Sequence, residues 1–150
     1  MVLGVMGTLA AAAWYLKPDA RPGPLGLEAG ALRHCPESPN CVCSLPSDAE
    51  HTVEAFQLSG PWPQARGKVV SILSEVRGFT IERSEPEYLH ITCRTLLMRY
   101  VDDLEFSWDA KAGVLQVRSA SRVGHSDLGA NRRRVEALRE RFRAAGLLKP

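Results

Sequence analysis

The stretch Met98-Arg99-Tyr100-Val101-Asp102-Asp103-Leu104-Glu105-Phe106-Ser107-Trp108, followed after Asp109 to Gly113 by Val114-Leu115-Gln116-Val117-Arg118-Ser119-Ala120-Ser121-Arg122, decides the fold. Both halves alternate with a period of two and a Gly-containing turn joins them, which is the pattern of an antiparallel hairpin. Side chains choose its register. Setting Trp108 opposite Leu115 places Phe106 against Val117, Leu104 against Ser119, Asp102 against Ser121 and Tyr100 against Val123 on one face. The other face then pairs Glu105 with Arg118. A slip of one residue sets Leu104 against Arg118 and ruins the apolar face, because such a shift turns every side chain over.

Working outward, Phe79 to Ser84 and Tyr88 to Leu97 read as two further strands around the Glu85-Pro86 turn. A helix is predicted from Pro63 to Val76, with Val69, Ile72, Leu73 and Val76 at helical spacing and Gly78 past its end. The final helix is predicted to start at Ser126 or Asp127 and run to Ala145, with Gly146 closing it. Leu128, Val135, Leu138 and Phe142 form its stripe, joined by the polar Asn131. His51 to Leu58 reads as a short strand. The expected fold is α+β: a four-stranded, mainly antiparallel sheet with two helices packed on one face, plus an N-terminal hydrophobic helix.

Three segments follow from this: residues 1–17 as a membrane anchor or signal, 18–33 as a flexible linker rich in Pro and Gly, and 34–146 as one α+β domain. Val2 to Leu16 carries no charge and only Thr8 as a polar side chain. As a helix it reaches roughly 22 Å, so it spans a bilayer only by thinning it or by drawing in Lys17. Small-x-small cleavage sites occur at Ala10 to Ala13, but no Lys or Arg precedes the apolar run, which favours an uncleaved anchor. Lys17, Arg21 and Arg33 after the segment point to a cytoplasmic domain. The cysteines pull the other way: Cys35, Cys41 and Cys43 crowd one loop, and Cys35 to Cys41 is a span that a disulfide closes in an oxidising compartment. The expected location is therefore a membrane, with the domain on its outer, periplasmic or lumenal, side.

The 150 residues are 45% hydrophobic and 24% charged, which excludes wholesale disorder and a multi-span membrane protein. The net charge of +2 hides a dipolar chain, −4 up to Gln116 and +6 from Val117 onward. Much of that excess lies on the last helix, where Arg132, Arg133, Arg139 and Arg143 are expected to form a basic surface. Three readings are open to it, a solvated face, contact with anionic lipid or contact with nucleic acid, and the expected partners are anionic lipid or an envelope protein. Nucleic acid is not an expected partner, because no aromatic residues interleave with the arginines and the anchor holds the domain at a membrane.

One polar cluster stands out. Asp102, Ser119 and Ser121 share the face of Leu104 and Phe106, and the last helix offers Asp127 and Asn131 towards them, with Arg122 and Arg134 as partners. Buried unpaired, each such group costs about 1–3 kcal/mol. Two readings stand side by side: a network locking the loop from Arg122 to Ala130 onto the sheet, or a polar pocket for a small anionic or hydroxylated ligand. Asp103 and Glu105 are expected to face outward towards Arg122 and Arg118 on a solvated sheet face; His90 lies on the outer phase with Tyr88 and Thr92, and His125 in the Gly124 to Asp127 loop. Cys35, Cys41 and Cys43 with His34 and His51 do not have the spacing of a structural zinc site, so neither metal nor cofactor is expected. Cys93 reads as a core residue.

The runs Cys35-Pro36-Glu37-Ser38-Pro39-Asn40-Cys41-Val42, Asp102-Asp103-Leu104-Glu105-Phe106, Arg118-Ser119-Ala120-Ser121-Arg122-Val123-Gly124, Ser126-Asp127-Leu128-Gly129 and Asn131-Arg132-x-Arg134 together resemble the family called domain of unknown function 1499. The resemblance extends in order from Cys35 to Arg143. It implies an envelope or organelle-membrane protein with an N-terminal hydrophobic segment, and it implies no reaction. Cys43 departs from the pattern, which has a small polar residue there. The expected function is a membrane-tethered, non-enzymatic binding or structural module. The alternative is a small hydrolase or ligand-processing enzyme using Asp102, Asp127 and His125.

Overall fold

The computed structural model describes residues 21–95 and 99–150. The expected anchor at residues 1–17 lies outside them, and no helix among the described residues is long and apolar enough to cross a membrane. The elements in chain order are β1 (Leu27–Glu28), β2 (Ala31–Leu32), β3 (Cys41–Cys43), α1 (Trp62–Glu75), β4 (Phe79–Ser84), β5 (Tyr88–Arg94), β6 (Val101–Asp109), β7 (Val114–Ser121) and α2 (Ala130–Ala144).

Strands β6 and β7 pair in the predicted register, Trp108 with Leu115, Phe106 with Val117, Leu104 with Ser119, Asp102 with Ser121 and Glu105 with Arg118. The apolar side chains dictate this: Leu104, Phe106, Leu115 and Val117 are fully buried together under the helices. The sheet has five strands rather than the four expected, in the order β3-β7-β6-β5-β4. The fifth is β3, antiparallel to β7 with Val42 opposite Ser119 and Cys43 opposite Arg118. Three residues are too short to show alternation, which is why this segment reads as loop in the sequence.

Helices α1 and α2 cover one sheet face. Trp62, Ala65, Val69 and Leu73 of α1 and Val135, Leu138 and Phe142 of α2 are buried. Phe56 sits between the layers, with ring centroids 5.7 Å from Phe106 and 5.3 Å from Phe142. The helix ends follow local chemistry. Gly146 adopts φ +69°, its N–H bonds Arg143 O, and Leu147 N–H bonds Phe142 O, so the chain turns back and buries Leu147 in the core. The start of α2 differs from expectation. Leu128 and Gly129 are consecutive left-handed residues, with φ +52° and +79°, so the helix begins at Ala130 rather than at Ser126 or Asp127. Leu128 consequently leaves the apolar stripe and is 85% exposed.

The opposite sheet face is covered too. Within the stretch expected as a linker, β1 and β2 form a hairpin that packs on β6 and β7, burying Leu32, with Gly26 N–H donating to Glu105 Oε1 at 2.8 Å. The face expected to be solvated is therefore the floor of a second layer.

Gly78 closes the bend between α1 and β4 at φ +87°, where an added Cβ would lie 2.5 Å from Arg94 O. Gly78→Ala is expected to cost at least about 2 kcal/mol, because left-handed strain and a backbone clash add together. Gly113→Ala, at φ +68° with open space around it, should cost about 1 kcal/mol. Urea unfolding of both variants checks the difference, and equal losses would contradict the close approach.

Candidate functional site

The predicted cluster assembles on the helix-covered face. Asn131, fully buried, occupies its centre because it continues the stripe of Val135, Leu138 and Phe142 by one turn. Its Oδ1 accepts from Ser119 Oγ at 2.7 Å and Arg134 Nη1 at 2.6 Å. Its Nδ2 donates to Asn40 O, Ser121 Oγ and Asp127 Oδ2 at 3.0, 2.9 and 2.7 Å. Arg134 Nη2 reaches Asp102 Oδ2 at 2.5 Å, which matches the one carboxylate on this face of β6 with a cation from α2.

Asp127 works as a cap even though the helix starts later than predicted. Its carboxylate accepts from the backbone N–H groups of Gly129 at 2.9 Å and Asn131 at 2.7 Å. Burial alone raises an acid, but these amides and the Asn131 side chain outweigh it and hold Asp127 below the ordinary carboxylate value. Sequence reasoning missed Asn40. Its Nδ2 donates to Gly124 O at 2.6 Å and its carbonyl accepts from Ser121 N and Asn131 Nδ2, tying the Cys35–Cys41 loop to this cluster. Its place inside the Ser38-Pro39-Asn40-Cys41 turn is the signal that was available.

Beside the network lies a cavity of about 450 Å³, lined by Tyr100, Asp102, Ser121, Val123, Asp127 and Leu128 among others. Its lining mixes the polar Asp102, Ser121 and Asp127 with the apolar Val123 and Leu128. His125, which the alternative hydrolase reading uses, is exposed in its turn and is not among the lining residues.

Arg122 does not join this cluster. It turns to the other face of the sheet, where its Nε and Nη2 donate to the two Asp103 oxygens at 2.9 and 2.8 Å. That second layer is buried rather than solvated: Asp103, Glu105, His90 and Arg118 are each 6% exposed or less, and the β1–β2 hairpin packs on the β6 and β7 strands that carry three of them. Glu105 accepts from Gly26 N–H, Tyr88 Oη and Arg118 Nη1, and His90 Nε2 meets Asp103 Oδ1 at 2.8 Å. Burial pushes the Tyr88 hydroxyl up, and the Glu105 carboxylate pushes it further. Burial would raise Asp103 as well, but His90 and Arg122 together hold it below its ordinary value.

Of the basic surface expected on α2, Arg139 is withdrawn into the molecule, while Arg133 and Arg143 remain exposed. Arg139 is buried, 4.5 Å from the Phe56 ring centroid, and donates to Glu54 O and Ala55 O. Its spacing from Val135 and Phe142 puts it on the buried stripe. Arg132 donates to Thr52 O and Glu50 O, Arg133 to Leu128 O, and Arg143 pairs with Glu140. A disulfide joins Cys35 to Cys41, while Cys43 and Cys93 are free and buried. Burial pushes the Cys93 thiol up to about 12, which leaves it inert. No group of three His, Cys, Asp or Glu side chains that could hold a metal ion occurs among the described residues.

The fold and site define a class: a five-stranded α+β module whose middle strands carry buried ion pairs on both faces. The chain matches the family described as Protein of unknown function (DUF1499) over residues 31–142, and it belongs to that family. No curated protein and no solved structure matches it.

Asp102→Ala leaves the Arg134 guanidinium without its carboxylate in a buried site, and is expected to destabilise the fold by about 3–5 kcal/mol. Thermal unfolding of the variant tests this, and an unchanged Tm would contradict the pairing. Asp103 gives a pH dependence of definite sign. Its folded value is depressed, so its contribution is complete above the unfolded value of about 3.9 and is lost as pH falls through the lower folded value. Wild-type Tm should drop in acid below about pH 4, and Asp103→Asn should flatten part of that slope. Parallel Tm curves for the two proteins would sink the assignment.

Proposed function

We propose that this chain is a non-enzymatic binding module tethered to an envelope membrane through its N-terminal segment, with its domain on the outer side and a ligand seat in the cavity beside Asp102. One observation carries the reading. The polar side chains lining the cavity are fixed in place, Asp102 by Arg134 and Asp127 by helix amides, while Tyr100, Val123 and Leu128 add apolar surface to the lining. Rigidly held polar groups beside apolar ones suit holding a small amphipathic molecule, with its donor group towards Asp102 and Ser121. Hydrolysis by Asp102, Asp127 and His125 needs a carboxyl free to exchange protons at an attacking water, and the depressed Asp127 together with the exposed His125 gives that reading less support.

The tether rests on the uncharged run from Val2 to Leu16, and the outer side on the Cys35–Cys41 disulfide, which persists in oxidising compartments. Arg133, Arg141 and Arg143 remain exposed on α2 for anionic lipid or an envelope protein.

Two measurements test this. Carbonate-washed membranes should retain the full chain and release one lacking residues 2–16; recovery of both in the soluble fraction would remove the tether. Native mass spectrometry of the full chain extracted from its membrane should show a bound small molecule. Val123→Trp, which fills the cavity, should lose that molecule with Tm unchanged. Identical spectra for the two proteins would overturn the seat, and turnover of an ester or phosphoester library abolished by Asp127→Asn would favour the hydrolase.

A further inference from the structure

The cavity beside Asp102 is lined by two carboxylates, Asp102 and Asp127, and by no Lys, Arg or His side chain among the described residues. The Asp127 oxygens are taken by the amides of Gly129 and Asn131 and by Asn131 Nδ2. Asp102 differs. Its Oδ2 meets Arg134 Nη2, whereas its Oδ1 has no hydrogen-bond partner among the described residues and is not sealed from solvent. Because Asp102 is only 4% exposed and lines this cavity, that oxygen is an acceptor held open towards it.

Ser121 stands directly opposite Asp102 across the β6–β7 pair and lines the same cavity. Opposite side chains on one sheet face start about 5 Å apart, so one small donor group can reach both. Ser121 Oγ accepts from Asn131 Nδ2 at 2.9 Å and keeps a lone pair for a second donor. Tyr100, two residues before Asp102 and thus on its face, adds a ring whose negative surface favours a cation. The open side-chain groups are therefore a carboxylate oxygen and hydroxyls, with no N–H donor among them. An anionic ligand, one of the classes expected from the sequence, meets two carboxylates here. Arg134 offsets one of these charges, and Arg133 stands outside the lining on Leu128 O.

The mouth of the cavity makes a second demand. Leu128 is 85% exposed and held at φ +52°, with Gly129 left-handed after it. The turn thus spends backbone strain to stand an apolar side chain in water. A ligand with an apolar body covers that side chain together with Val123, which lines the cavity beside it. Given the ligand seat proposed above, we infer that it selects an amphipathic primary amine, the ammonium donating to Asp102 Oδ1 and Ser121 Oγ and the apolar body lying against Val123 and Leu128. A hydroxyl could occupy the same place, but an ammonium gives the carboxylate a charge-assisted bond, which is about twice as strong.

The test follows the methyl signals of Val123 and Leu128 by nuclear magnetic resonance in the full chain, held in maltoside micelles at neutral pH. Benzylamine, benzyl alcohol and benzoate are titrated in separately; they share a ring and differ in the head group. Benzylamine should move both signals saturably with a Kd about tenfold below that of benzyl alcohol, and benzoate should not saturate. Asp102→Asn leaves Arg134 an acceptor and should erase the tenfold preference. Leu128→Gly relieves the left-handed strain, so its Tm should stay at or above wild type while benzylamine binding weakens about fivefold. The three probes and Leu128→Gly decide the matter even where Asp102→Asn does not fold. Benzyl alcohol or benzoate binding as tightly as benzylamine, with the response lost in Val123→Trp, would overturn the amine and leave the seat standing. A preference undiminished in folded Asp102→Asn, or Leu128→Gly binding like wild type, would likewise overturn the amine as placed. Signals unmoved by all three probes would overturn the amine and the seat together.

Discussion

A carboxylate buried inside a sheet must be given donors, and strand β6 places three within four residues: Asp102 on one face, Asp103 and Glu105 on the other. The C-terminal third answers each with one arginine. Arg134 reaches Asp102 from α2, Arg118 faces Glu105 across β7, and Arg122 takes Asp103 from the end of β7. Removing one partner from any of these pairs strands a charge away from water, which is far costlier than losing a surface ion pair. Folding thus cancels part of the charge asymmetry between the halves of the chain, since negative strand residues and positive helix and strand residues are brought together pair by pair.

What alternation and spacing can encode was legible in the sequence. The β6–β7 register followed from Trp108, Phe106 and Leu104, and the burial of Asn131 followed from its place on the α2 stripe. The same alternation correctly turned Asp103 and Glu105 to the opposite face, but it could not show that this face is covered. The cover comes from two strands of two residues each, in a stretch whose Pro and Gly content reads as linker, and no periodicity survives at that length. Asn40 and β3 were hidden for the same reason. Arg139 is a different case: its spacing from Val135 and Phe142 marked it for the stripe, and its charge argued it out. The structure keeps both properties by laying the guanidinium on the Phe56 ring and its N–H groups on backbone carbonyls.

The two faces of the sheet divide the molecule by chemistry. The helix side is a hydrocarbon core with one polar corner, whereas the hairpin side is an ionic layer sealed by a thin lid. Strand β3 shows how closely they approach: it turns Val42, opposite Ser119, into the core and Cys43, opposite Arg118, towards the ionic layer, so a single three-residue strand contributes to both. Asn40, immediately before it, carries the connection further by bonding Gly124, Ser121 and Asn131.

The hairpin lid also sets an order of assembly. Its anchor from Gly26 to Glu105 joins residues 79 positions apart, and the bond from Asn131 to Asn40 joins residues 91 apart. Such long loops close late, because their entropy is lost before the contacts form. During synthesis from the N-terminus, the hairpin segment must therefore wait for β6 and β7, and Asn40 for α2. Within that segment the β1–β2 turn and the small ring between Cys35 and Cys41 are local enough to close while the chain is still growing. That ring limits how far the waiting segment can wander before β7 and α2 arrive to receive it.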